Sequence, residues 1–588
     1  MNYNLNKNIE VKAKRTDLKA AFLKLLPLMP GERGKIIIAA MAIALNSAMN
    51  LLAPVIVGQA VDKYILTGQY RGVLLSSALL LAMYLAAFGA SYIQTRVMGG
   101  VGQRVLFNLR NAIFSKLQEL PVAFFNQNKA GDLISRINND TDKLNQFFSQ
   151  TLMQFIGNIF IMLGAGIALL IINPLLGAAS LLPALAIVIF TWLVSPWVKK
   201  KNAINMKSVG GMSAEIQQSL DNFKVIVAFN RSDYFREQFD QANKENYQTA
   251  IGAGLANNLF TPIYGLAALI GQLIVLVYGI HLILTGNFTL GLLISFLSYI
   301  NRFYEPLRHL AALWNSFQVA LAGWDRVSEI LSLDTNLKIL PEEKKNDSAS
   351  LLEFNKVHFG YPDGKEVLHE ISFSLEQGKT YALVGPTGGG KTTTASLMAR
   401  LYDPAQGKVF FKGQDIRSYQ PEVRTKKIGF ILQDPFLFSG SVRDNILYGN
   451  DFVYHDYSNS QLEEVIEQAG LKVLLKRFDQ GLETKISAGG EGMSLGQKQL
   501  IAFMRAVLRN PELLILDEAT ANIDTVTEQL LEEILKKLPK TTTKVIIAHR
   551  LNTIENADEI FFVNAGKVIK AGSMEHAVDM LLHGKRNS

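Results

Sequence analysis

Long apolar runs crowd the first 320 or so positions and then stop. Six of them are long enough and poor enough in charge to cross a bilayer, near 35–61, 72–95, 150–172, 175–197, 251–283 and 288–312. A single run of this kind could be a buried core helix, but six in close succession predict membrane helices. The third and fourth are separated only by Asn173-Pro174, a tight turn. Beyond a polar stretch, PEEKKNDSAS at 341–350, short strand-like runs alternate with helical ones, the pattern of an α/β domain. The predicted layout is an N-terminal segment (1–34), a six-helix all-α transmembrane domain (35–325), a linker (326–350) and an α/β domain (351–588).

Charge orients the spans. The connection from 96 to 149 carries Arg96, Arg104, Arg110, Lys116, Lys129, Arg136 and Lys143. The connection from 198 to 250 carries Lys199, Lys200, Lys201, Lys207, Lys224, Arg231 and Arg236, whereas the 3–4 turn and the LTGNFT link between spans 5 and 6 have no Lys or Arg. The long connections and both termini are therefore expected in the cytoplasm. Each is helix-forming and has room for two antiparallel helices of ~25 residues, reaching roughly 40 Å beyond the bilayer. Residues 17–29 place Phe22, Leu25 and Leu26 on one face, as in a helix lying in the membrane interface; a plain N-terminal extension of the first span is the other reading.

The formal charge of +8 sits largely beside apolar runs, which favours an anionic membrane surface over nucleic acid. The chain has no cysteine, so disulfides, thiolate metal sites and cysteine catalysis are excluded. No apolar core beside a cleavage site marks the N-terminus, and no signal peptide is expected.

The chemistry lies in the second half. The strand YALVG (381–385) runs into Gly385-Pro386-Thr387-Gly388-Gly389-Gly390-Lys391-Thr392, a phosphate loop followed by Thr393 and a helix. Phosphates need backbone N–H groups aimed inward, and glycine permits that approach. Lys391 supplies a point charge for the β- and γ-phosphates, and Thr392 a hydroxyl for Mg²⁺. The strand LLILDE (513–518) ends in two acids: Asp517 suits the Mg²⁺ shell and Glu518 the general base for an attacking water. The strand KVIIAHR (544–550) delivers His549 toward the same edge, for contact with the γ-phosphate.

With these residues in order, the whole chain resembles a half-transporter of the ATP-binding-cassette (ABC) exporter type, multidrug-like and bacterial in character. Tyr361, in FGYPDG, matches the aromatic on which adenine stacks. Gln433, in ILQDPFLF, matches the glutamine that senses Mg²⁺ and links to the membrane arms. MSLGQKQL (493–500) matches the family signature, with Ser494, Gly496 and Gln497 facing nucleotide across a dimer, and Asp524 matches the aspartate of the interface loop. Ala488-Gly-Gly-Glu491-Gly resembles the exporter loop that meets the arm tips. FFNQNKAGDLISRINND (124–140) and SLDNFKVIVAFNR (219–231) resemble the two arms. The resemblance implies ATP and Mg²⁺ as cofactors, and a multi-pass protein of the cytoplasmic membrane. It also implies ATP hydrolysis that drives alternating access in a dimer of two halves, each ATP held between one phosphate loop and the other half's signature.

Two places depart from the family pattern. Leu495 stands where the signature has its first glycine, and the interface loop reads Ala521, Asn522 and Ile523. A damaged signature beside an intact Lys391, Glu518 and His549 fits one member of a heterodimer, whose other member has a good signature and a defective general base. Tolerated drift is the plainer alternative. Aromatic and amide residues in the spans (Phe160, Tyr264, Tyr278, Tyr299, Phe303, Tyr304; Asn46, Asn50, Gln154, Asn158, Asn257, Asn258, Gln272) suit amphiphilic cargo such as drugs or lipid-like molecules, though helix packing accounts for many of them. Arg302 and Glu305, at i and i+3, are expected to pair. A lipid flippase, a peptide exporter, an exporter-fold importer and a regulatory or channel-type protein are the other readings of the same architecture.

Overall fold

The computed structural model describes residues 3, 5, 31–334, 337–342, 350–361, 364–517, 525–547, 557–572 and 574–583. The expected interfacial helix at 17–29 lies outside them, as do Glu518, Ala521, Asn522, Ile523, Asp524 and His549. The described chain forms two compact units: one of residues 14–116 and 131–332, the other of 333–588 together with Leu117–Ala130 and the stretch holding Tyr3 and Leu5.

The helices in the first half are α1 (Arg33–Ile65), α2 (Tyr70–Glu119), α3 (Val122–Gln127), α4 (Ala130–Ile172), α5 (Pro174–Asp221), α6 (Phe223–Ala228), α7 (Ser232–Leu284) and α8 (Leu290–Leu331). Five of these, α1, α2, α4, α5 and α7, are long and apolar enough to cross a membrane; α8 has the length but not the composition. A 50-residue helix such as α2 is about 75 Å long, more than twice a hydrocarbon core, so span and arm form one rod. At the third-to-fourth connection Asn173 caps α5 by accepting from the Leu176 N–H at 3.0 Å, and Pro174 fills the first helical position, where an N–H has no partner.

Small residues set the helix crossings. Gly58 of α1 and Gly291 of α8 meet backbone to backbone: a Cβ on Gly58 would lie 2.5 Å from the Gly291 carbonyl oxygen. A π-helical turn, Val61–Ile65, ends α1 and presents Asp62 to the start of α8. Its carboxylate accepts from the Gly291 N–H at 2.8 Å and from the Thr289 hydroxyl at 2.5 Å. Negative charge thus meets the positive end of a helix. Further along the same unit, fully buried Arg136 bridges Asp132 at 3.0 Å and Glu329 at 2.9 Å, and Arg326 bridges Asp132 and Asp140. Their mutual neutralisation ties the start of α4 to the end of α8.

Several polar groups in the spans serve packing. Tyr299 Oη donates to the Leu51 carbonyl, Tyr304 Oη to the Ser180 carbonyl, and Asn202 and Asn257 bond reciprocally. The expected Arg302–Glu305 pair is absent. The guanidinium turns to α1 instead and donates to Asn50 Oδ1 at 3.1 Å. Helical spacing put the two charges within reach, but a neighbouring helix offered an acceptor that spacing along one helix cannot reveal.

The second unit contains β1 (Leu352–Gly360), β2 (Glu366–Leu375), β3 (Thr380–Val384), β4 (Gln406–Phe411), β5 (Gln414–Asp415), β6 (Ile428–Ile431), β7 (Gly440–Ser441), β8 (Lys485–Ile486), β9 (Leu513–Asp517), β10 (Thr543–Ile547), β11 (Glu559–Asn564) and β12 (Lys567–Lys570). An antiparallel sheet runs β2-β1-β4-β5. The larger sheet runs β12-β11-β3-β10-β9-β6, parallel from β11 to β6. Strands β3 and β9 are almost entirely buried and read as continuous apolar runs, as expected for a parallel sheet covered on both faces. The register sets Leu383, Ile547, Asp517 and Ile431 close to one level, so the loops that carry chemistry leave the sheet at its carboxyl edge.

Candidate functional site

The phosphate loop leaves β3 at that edge and turns into α9 (Lys391–Met398). Two of its glycines are dictated by geometry. Gly385 has φ +151°, and a Cβ there would lie 2.0 Å from the Val563 carbonyl oxygen. Gly390 caps α9 with φ +112°, backbone that L side chains rarely adopt. The turn therefore wraps tightly and leaves the first N–H groups of α9 without helical acceptors, which makes an anion-binding end. Lys391 is buried, and its ammonium is held across the loop by the Gly385 and Pro386 carbonyls at 2.9 and 3.0 Å.

Next to this loop the hydroxyl of Thr392 donates to Asp517 Oδ1 at 3.3 Å. Asp517 ends β9 and is buried. Two hard oxygen donors, one of them anionic, suit a small divalent cation such as Mg²⁺. Gln433 follows β6 two residues beyond Ile431, which pairs level with Leu516, and its side chain is exposed. Strand β10 ends level with Asp517, two residues before His549.

Tyr361 lies on the other side of the loop. Its phenol is 3.1 Å from the Thr393 hydroxyl, and its ring meets Phe359 and Tyr402 edge to face at 5.1 and 5.4 Å. Sequence reasoning missed Tyr402. It belongs to the run LYDP after α9, and an aromatic just past a phosphate-loop helix is a usable signal. Burial pushes its phenol pKa up, so it stays protonated, and it accepts from the Asn126 side-chain amide at 2.7 Å. Asn126 is on α3, the tip of the first arm, and this tip belongs to the same compact unit. The tip is anchored by Phe124, which is fully buried, and by a short N-terminal strap. Asn128 and Gln127 accept from the Leu5 and Tyr3 backbone N–H groups at 3.1 and 2.9 Å, and Tyr3 packs edge-on against Phe124. The strap also lay outside the sequence reading.

The signature stands apart from the loop. Ser494 is the N-cap of α10 (Leu495–Val507). Its hydroxyl accepts from the Gln497 N–H, and the Gln497 side chain accepts back from the Ser494 N–H. Gln497 also donates to the Arg477 carbonyl at 3.3 Å. Among the described residues, Ser494, Gly496 and Gln497 form no hydrogen bond with the phosphate loop. Leu495 takes the first helical position, with the ordinary negative φ of a helix. The backbone at Leu495 is therefore unstrained in this structure, and its side chain adds bulk beside Ser494.

Residues 36–307 match the model of the ABC transporter transmembrane region, and residues 368–521 match the ABC transporter model. An uncharacterized ABC transporter ATP-binding protein of Bacillus subtilis (strain 168), YfiC, is 32% identical over 574 residues, covering 96% of this chain and 93% of the relative. A fatty acid ABC transporter ATP-binding/permease protein of Mycobacterium bovis is 32% identical over 529 residues, 90% of this chain and 81% of the relative. A multidrug resistance ABC transporter ATP-binding and permease protein of Lactococcus lactis subsp. lactis is 28% identical over 502 residues, 85% and 84% of the two chains. Apolar membrane helices, a phosphate loop at the carboxyl edge of a parallel sheet and a match along nearly the whole length agree, and the chain belongs to the ABC transporters, as a half-transporter of exporter type that couples ATP hydrolysis to transport.

Proposed function

We propose that this half-transporter exports amphiphilic compounds across the cytoplasmic membrane by alternating access, with its arms and termini in the cytoplasm. The observation that carries this reading is the succession of a transmembrane region and an ATP-binding region on a chain matched over 96% of its length by a relative. The names of two relatives speak of a fatty acid and of multidrug resistance, and amphiphilic cargo would fit both. Lys391 and the start of α9 hold the ATP phosphates, Tyr361 the adenine, and Thr392, Asp517 and Gln433 the Mg²⁺, which supplies charge neutralisation. Glu518 polarises the attacking water and His549 meets the γ-phosphate. Ser494, Gly496, Gln497 and Asp524 act across the dimer. Inverted membrane vesicles test the direction: an amphiphilic dye should accumulate inside on addition of Mg-ATP. ATP-dependent loss of dye, or an ionic current with no dye movement, would overturn the export reading.

Apolar surface supports pairing with a second half. On the second arm α6 exposes Phe223, Val225 and Val227, and Phe229 follows, all more than half exposed. The ATPase unit exposes a groove floored by Leu432, Phe436, Phe438 and Tyr448. Patches of this kind on a soluble surface mark interaction sites, and a partner's arm tip fits the chemistry of this one.

The path Tyr361–Tyr402–Asn126 joins the adenine platform to the first arm in two contacts. Asn126→Ala should leave ATP binding nearly normal and lower the amount transported per ATP severalfold. Phe124→Ala, which removes a fully buried ring worth about 3–5 kcal/mol, should uncouple further. Parallel measurement of transport and phosphate release checks both variants. An unchanged ratio in each would remove the first arm tip from the coupling route.

A further inference from the structure

Five of the six long helices contain an apolar stretch nearly free of charge, long enough to cross a membrane, and α8 is the exception among the described residues. Asn301, Glu305, Arg308 and His309 are spaced i, i+4, i+7 and i+8, which puts them on one helical face, and all four are exposed. Arg302 lies at the edge of that face, half-buried. It is twelve residues into a helix that begins at Leu290, about 18 Å along its axis and so near the middle of a ~30 Å hydrocarbon core. Charge at this depth, continued by exposed charge one to two turns further on, does not face lipid. It faces a water-filled cavity or a partner.

The guanidinium is only half satisfied. Its one hydrogen bond among the described residues goes to the neutral amide of Asn50, which bonds in turn to Asn46. Glu305 has no ion pair among the described residues. Pro306 adds to the polarity, because it cannot bond the Arg302 carbonyl four residues earlier. Two arginines and a histidine thus oppose a single carboxylate on this face, and the cation at mid-depth has a dipole, not a charge, for company. A cation held this way is stabilised most by an anion brought in from outside.

We propose that Arg302 is the headgroup site of the export cavity and that the preferred cargo is an amphiphile with an anionic head, a carboxylate or a phosphate. Asn50 aims the guanidinium. Arg308 and His309, about 9–10 Å further along the helix, draw the same head inward. Glu305, within one turn of Arg302 and Arg308, is the exchangeable counter-ion that the cargo displaces. Cationic amphiphiles are disfavoured by the net charge of the face. The inference rests on the export reading.

The test uses the assembled transporter in nanodiscs and four single-chain probes with tails of about the same length: dodecanoate, dodecyl phosphate, dodecylglycerol and dodecyltrimethylammonium. Binding is read by displacement of labelled dodecanoate. The anionic probes should bind at least tenfold tighter than the neutral one, and the stronger of the two names the head. Arg302→Gln should erase that preference, Arg302→Lys should keep part of it, and Glu305→Gln should increase it. Asn50→Asp, which sets a fixed carboxylate against the guanidinium at nearly constant volume, should also erase it, and it covers the case in which Arg302→Gln does not fold. Equal binding of all four probes to the unaltered protein, or an anionic preference that survives both Arg302→Gln and Asn50→Asp, would overturn the site. Arginine-dependent binding without ATP-dependent movement in vesicles would instead leave the site standing and sink the export reading.

Discussion

Glu518→Gln is expected to lower ATP turnover of the assembled transporter by about a hundredfold or more while ATP still binds, because general-base assistance contributes 10²–10⁴ in rate and the amide keeps the size of the acid. The residue follows Asp517, which the parallel sheet delivers buried and within 3.3 Å of Thr392. A base placed one residue on can act on a water beside the γ-phosphate. Lys391→Ala separates the two roles. It removes the ammonium seated across the loop and should weaken nucleotide affinity itself. Filter binding of labelled ATP and phosphate release, measured on both variants, give the contrast. Turnover above about a tenth of normal in Glu518→Gln would sink the general-base role, and unchanged affinity in Lys391→Ala would remove Lys391 from the phosphate site.

The parts of this molecule that were legible in its sequence are those where chemistry restricts residue type locally. Gly385 and Gly390 are visible as a motif because no side chain fits their backbone, and the apolar spans because the bilayer tolerates little else. What was not legible depends on neighbours distant in sequence. Arg302 has an acidic residue one turn away, yet it bonds an asparagine 252 positions earlier, on another helix. Tyr402 gains meaning only when Asn126, 276 positions away, arrives beside it. Likewise the division of the chain into units does not follow chain order, since residues 117–130 of the first arm join the ATPase unit. Leu495 is visible in the sequence as a departure from the signature, but that it opens a helix capped by Ser494 with ordinary backbone is seen only in the structure.

The capped helix bears on the expectation for the partner. Expressed alone, the chain can pair only with its own kind, and both ATP sites then contain the leucine-bearing signature. Since Leu495 keeps helical backbone and Ser494 keeps its cap, we propose that the signature is weakened sterically, by a half-buried side chain beside the hydroxyl expected to meet the γ-phosphate. Loss of one well-aimed contact to the transferring phosphate costs a few kcal/mol of transition-state stabilisation, about a hundredfold in rate. Co-expression with a different half that has an intact signature should restore one fast site, built from Lys391 and Glu518 here and the signature there. In that pair Leu495→Gly should raise turnover only modestly, because the site it repairs would use the partner's defective base. Substitution at the first helical position should also cost less than the ~1 kcal/mol of a mid-helix glycine, so a folding defect would not mask the result. About one ATP per pair should stay bound at the slow site after turnover stops. A homodimer of this chain with full, substrate-stimulated ATPase activity, or two sites that empty together, would reduce Leu495 to tolerated drift.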